Sequence, residues 1–90
     1  MRTIVVNLTE EACTKYIGRG SIWGNPYKIG DDGDRETVIR RYKSYILRKP
    51  NLLNQLYTLE GHTLGCYCKP LPCHGDVLIE LLELKKKGEL

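Results

Sequence analysis

The sequence predicts an α/β fold, one domain spanning residues 1–90, with a small sheet of about three or more strands covered by about three helices. Three observations lead there. A β-branched run stands near the start, two later segments repeat their apolar residues at helical spacing, and clusters of turn formers separate the elements. The resulting order is strand, strand, loop, helix, helix, strand, helix. Ninety residues suffice for one domain and are too few for two.

The elements follow in chain order. Thr3 to Leu8 is rich in Val and Ile and reads as a buried strand. Thr14 to Ile17 predicts a second strand, ended by Gly18-Arg19-Gly20-Ser21. Asp31-Asp32-Gly33 is a turn, and Asp34 is placed to cap a helix over Arg35 to Arg48. Val38, Ile39, Tyr42, Tyr45 and Ile46 form its apolar stripe. Pro50 is expected to stop that helix, with Asn51 capping a shorter one through Leu56 and Tyr57 that closes at Gly61. Thr63 to Cys68 predicts the next strand, and the two prolines of Lys69 to Pro72 force a loop. A last helix runs from about His74 to near Gly88 on Val77, Leu78, Leu81 and Leu82.

Composition narrows the class. With 41% hydrophobic and 28% charged residues the chain is globular rather than disordered. It has six Tyr and no Phe, so tyrosines must fill large core positions, and their hydroxyls need partners or a place beside a pocket. The net charge of +3 selects no partner. The start of the chain reads as a strand rather than a secretory signal, and no apolar run reaches membrane-spanning length. A cytoplasmic protein is therefore expected, with its four cysteines reduced and no disulfide framework.

Chemistry concentrates in Cys66-Tyr-Cys68-Lys-Pro-Leu-Pro-Cys73-His74-Gly-Asp76. On a strand Cys66 and Cys68 point one way and Tyr67 the other, and the loop returns Cys73 and His74 at the start of a helix. One reading is a metal centre in which Cys66, Cys68, Cys73 and His74 hold zinc, the default soft-to-borderline ion of a reducing compartment. An iron–sulfur cluster fits less well, because it usually takes four cysteines. A second reading has no metal. Cys73 and His74 then sit at the positive end of a helix dipole as catalytic groups, which lowers a thiol pKa and attracts anions. Gly75 would admit a ligand close to the backbone, and Asp76 would favour the first turn or make a polar contact. A third reading is packing alone, with the cysteines as small buried hydrophobes and His74 on the surface.

The segment Tyr16 to Lys28 adds Arg19 and Ser21 as an anion-binding loop, and Trp23 and Tyr27 as stacking platforms. The plainer alternative is a structural turn with Trp23 plugging a thin core. Arg40, Arg41 and Lys43 on the first long helix, together with Lys85, Lys86 and Lys87, are the only hint of nucleic acid. A solvated face explains them as well.

At these residues the chain resembles the domain-of-unknown-function 4326 family. The resemblance lies in Ile17-Gly-Arg-x-Ser-x-Trp-Gly-Asn-Pro-Tyr27 and Leu64-Gly-Cys-x-Cys-Lys-Pro-x-x-Cys-His-Gly-Asp76, and it extends from about Tyr16 to Leu82. The family is widespread in microbes and frequent in phage genomes. The resemblance implies that Arg19, Ser21, Trp23, Asn25, Cys66, Cys68, Cys73, His74 and Asp76 belong to a shared pattern, and that the two blocks form one site. Cys13 falls outside the pattern.

The working expectation is a pocket where the Gly18–Tyr27 loop meets the Cys66–Asp76 turn, binding a small anionic, nucleotide-derived ligand. Arg19 and Lys69 would hold its anionic group, Trp23 would stack, and Ser21, Asn25 and Asp76 would make polar contacts. The alternatives are a structural zinc module, a nucleic-acid adaptor without catalysis, and a thiol-dependent enzyme acting on a nucleotide. A thin core offers a pocket little depth, so a homo-oligomer is a further expectation.

Overall fold

In a computed structural model of the chain, residues 3–67 and 71–90 are described. Strands β1 (Ile4–Asn7), β2 (Lys15–Tyr16) and β3 (Thr63–Cys66) form one sheet in the order β1-β3-β2. Both pairings are parallel, with Val5 beside Leu64 and Tyr16 beside Gly65. The predicted α/β class is the observed one. The strands are shorter than their apolar runs, because the chain turns at Leu8 and the 17–34 segment leaves the sheet directly after β2.

Parallel neighbours need a crossover, and here α1 (Arg35–Leu47) and α2 (Pro50–Leu53) carry the chain from β2 back to β3. Asp34 caps α1 as the sequence predicts, its carboxylate accepting the Thr37 N–H at 2.8 Å. Pro50 opens α2 instead of merely ending α1, since the first helical turn has no use for the missing N–H. Asn51 is accordingly inside that helix, and a separate 3₁₀ turn (Leu56–Leu59) follows.

Helix α3 (His74–Lys86) packs against α1, the 3₁₀ turn and β1. The predicted apolar faces are the buried ones: Val38, Tyr42 and Ile46 on α1, and Val77, Leu78, Leu81 and Leu82 on α3. They join Ile17, Trp23, Leu56, Leu59, Leu64, Cys66 and Cys73 in one core. Because side chains alternate along a strand, Leu64 and Cys66 face this core while Gly65 turns away. A Cβ on Gly65 would stand 2.6 Å from Cys13 Sγ and 2.7 Å from Leu8, so the 8–13 segment lies directly over that side of the sheet. Exposed pairs such as Lys86–Glu60 join the surface but add little stability.

Candidate functional site

The carboxyl ends of β2 and β3 open onto a cavity of about 630 Å³. Its walls come from four places. Tyr16, Gly18 and Arg19 follow β2, and Asn25, Tyr27, Lys28 and Ile29 belong to the 17–34 loop. Arg35, Val38 and Ile39 come from the first turns of α1, and Cys66, Tyr67, Pro72, Cys73 and His74 from the β3–α3 junction. In parallel sheets this edge is where crevices form, because the connections diverge as they leave it for different layers.

Three hydrogen bonds brace the loop that forms the near wall. The Asn25 side chain accepts the Tyr27 N–H at 2.9 Å and donates to the Val38 carbonyl at 3.3 Å, tying the loop to α1. The buried Tyr42 hydroxyl donates to the Trp23 carbonyl at 2.6 Å. Across the mouth, Arg35 donates to the Pro72 carbonyl at 3.1 Å.

Cys66 ends β3 and Cys73 is the N-cap of α3, so two rigid elements bring their sulfurs to 3.3 Å. Both are free and nearly inaccessible. Burial pushes the Cys73 thiol up to about 12, and the contact with Cys66 pushes the same way. The helix start was expected to lower this pKa. A hydrogen bond from the Gly75 backbone does act in that direction, but desolvation outweighs it. Cys73 is therefore a protonated thiol at neutral pH.

His74 is 8% exposed, not a surface helix residue. Its Nε2 lies 2.6 Å from the Ile17 carbonyl. A carbonyl only accepts, so Nε2 carries the proton and Nδ1 is the nitrogen left with a lone pair. The ring stands edge-on to Tyr42 at 5.1 Å. Burial holds its pKa below the usual imidazole range. Chemically the floor offers a neutral imidazole and, beside it, the protonated Cys73 thiol in contact with Cys66.

The remaining expected site residues divide. Arg19 and Asn25 line the cavity. Trp23 does not: at 1% exposure its indole is part of the core, where its size fills the gap between loop and α1, so it offers no stacking face there. Ser21 donates to the Gly18 carbonyl at 2.7 Å and shapes the loop from within. Asp76 accepts the Cys73 N–H at 3.1 Å and closes the start of α3. Gly75 makes room for the core rather than for a ligand, since a Cβ there would stand 2.8 Å from Val5 and 2.9 Å from Ile17. Cys68 and Lys69 lie outside the described residues. Among the described residues, no three His, Cys, Asp or Glu side chains gather as a metal-holding group.

Sequence reasoning missed Tyr16, Tyr67, Lys28, Arg35 and Ile39 as cavity residues. Their own signals are ordinary turn, strand and helix positions. Tyr27 stood within the Trp-Gly-Asn-Pro-Tyr block and was legible there.

These features define a class: a small parallel α/β domain with a cavity at the carboxyl edge of its sheet, floored by buried thiols and an imidazole. The chain belongs to the family described as a domain of unknown function (DUF4326), which matches residues 5–84. It is 38% identical over 82 residues to an uncharacterized 12.4 kDa protein of the nrdA–td intergenic region of Enterobacteria phage T4, covering 87% of this chain and 75% of that one. It is also 34% identical over 93 residues to uncharacterized protein R718 of Acanthamoeba polyphaga mimivirus, covering 83% of this chain and 71% of that one. No solved structure matches. Among the described residues, no helix is long and apolar enough to cross a membrane.

Proposed function

We propose that this domain binds a small anionic, nucleotide-derived ligand in the cavity at the carboxyl edge of the sheet. One observation carries the reading. The cavity is of ligand size, its charged lining is Arg19, Lys28 and Arg35, and none of its described lining residues is a carboxylate. Arginine forks suit phosphate oxygens, while Val38, Ile39, Tyr27 and Tyr67 supply apolar and aromatic wall for a base or sugar. The 17–34 connection is long for a domain of this size, and long ordered loops are commonly binding loops.

Titration with adenosine monophosphate, adenosine and inorganic phosphate, followed by amide NMR and calorimetry, tests this. The expected result is saturable binding of the nucleotide with shifts at Arg19, Tyr27, Tyr67 and His74. Arg19→Ala should weaken it about tenfold, the scale of one charge-assisted hydrogen bond. No shift at millimolar nucleotide would overturn the proposal.

A second reading, zinc held through Cys66 and Cys73, is favoured by the 3.3 Å approach of the two thiols. Thiolates sharing a tetrahedral zinc stand about 3.8 Å apart, so a small adjustment would admit the ion. His74 would join only through Nδ1. Stoichiometric zinc by native mass spectrometry and elemental analysis, lost on Cys66→Ser, supports this reading; metal-free protein removes it.

A further inference from the structure

Resting on the nucleotide reading above, we infer that the ligand is bipartite: two nucleotide units joined through phosphate. One unit occupies the cavity already described. The other occupies a second depression that shares Tyr16 and Arg19 with it.

The second depression measures about 540 Å³ and is walled by Lys15 and the 19–23 loop. Each of the two is the size of a site for one drug-sized molecule. Tyr16 and Arg19 form the boundary between them, and the Tyr16 hydroxyl donates to the Arg19 carbonyl at 3.0 Å, which ties ring and loop together. The charged residues in the second lining are Lys15 and Arg19, again without a carboxylate among the described residues. The Arg19 side chain is exposed and has no ion-pair partner among the described residues. A cation without a carboxylate, standing between two depressions, is where a bridging phosphate gains most, because its fork engages two oxygens at once.

A separate observation points to the same loop. Trp23 Nε1 is a buried donor with no partner, the sole such side-chain atom among the described residues. Trp23 lines the second depression and not the first. Leaving a buried N–H unpaired costs roughly 1–3 kcal/mol, so this loop carries an unmet demand for an acceptor. The exposed Ile22 supplies apolar surface for a second base.

The test compares four probes on the wild-type chain by calorimetry and amide NMR. They are adenosine monophosphate, a phosphodiester-linked adenosine dinucleotide, diadenosine pyrophosphate, and a ten-residue thymidine strand. At least one linked dinucleotide should bind about tenfold or more tighter than the mononucleotide, since joined units bind as one once both sites engage. It should shift the Lys15 and Ile22 amides, which the mononucleotide leaves in place. The tighter linkage identifies the phosphate chemistry, and Arg19→Ala should cut the dinucleotide's advantage to about threefold or less. If the mononucleotide binds but neither dinucleotide gains nor moves Lys15 and Ile22, the bipartite ligand is overturned and the single-nucleotide reading stands. If no probe binds, both fall. If the ten-residue strand binds far tighter than either dinucleotide, with steep salt dependence, a nucleic-acid surface replaces this inference.

Discussion

Changing Tyr42 to Phe removes one oxygen from a fully buried ring and leaves its carbon packing in place. That oxygen donates to the Trp23 carbonyl at 2.6 Å, from the middle of α1 to the loop that walls the cavity. Burial holds the phenol far above its usual pKa, so it remains a donor at every working pH. The variant leaves a buried carbonyl without this partner, a loss of about 1–3 kcal/mol. Taking about 1.5 kcal/mol, and about 4–8 °C of melting temperature per kcal/mol for a domain of this size, Tm should fall by about 6–12 °C. Urea unfolding followed by the single tryptophan is a direct assay, because Trp23 is itself buried and becomes exposed on unfolding. Wild type and variant should share the same slope and differ in midpoint. A melting temperature within about 2 °C of wild type would refute the claim that this bond anchors the loop to the helix.

Three further outcomes follow from the same geometry. The His74 pKa is lowered by burial, so the unfolded chain takes up its proton first as the solution is acidified. Stability should be full above the unfolded value of about 6.5 and decline below it, at up to about 1.4 kcal/mol per pH unit until the folded group titrates. A His74→Gln variant should lose that part of the slope, and an unchanged pH profile would sink the assignment. With its thiol pushed up to about 12, Cys73 should resist iodoacetamide at pH 8 in the folded protein and react at least about a hundredfold faster in guanidinium. Rapid native labelling by peptide mapping would contradict the buried pair. Gly75→Ala should destabilise despite alanine's better helix propensity, by about 1–2 kcal/mol, because its Cβ meets Val5 and Ile17 within 3 Å. A more stable variant in urea would show that those methyls yield freely.

The local elements were legible because local rules produce them. The Asp34 cap, the Val38–Tyr42–Ile46 stripe and the Val77–Leu82 face each follow from spacing that a helix must present to a core. With the family resemblance in hand, a pocket was also expected where the Gly18–Tyr27 loop meets the Cys66–Asp76 turn, and the cavity takes lining residues from both segments. Roles within the site were less legible. Trp23 and a surface stacking residue look alike in a motif, and only the packing of the loop onto Tyr42 turns the indole inward. Cys73 begins a helix in either reading, but its pKa depends on how much water the neighbouring elements leave it, which no spacing encodes.

By itself, then, the sequence determined the class of fold, the order of its elements and the helix faces. These depend on periodicity, capping and turn chemistry, all set by residues a few positions apart. The tertiary structure decided the sheet order β1-β3-β2, with a Cys-bearing strand at its centre. It brought Arg19, Lys28 and Arg35 to one cavity and turned His74 Nε2 onto the Ile17 carbonyl, 57 residues away in the chain. Such contacts join residues far apart in sequence, and their geometry is fixed only when strands pair and helices close over them.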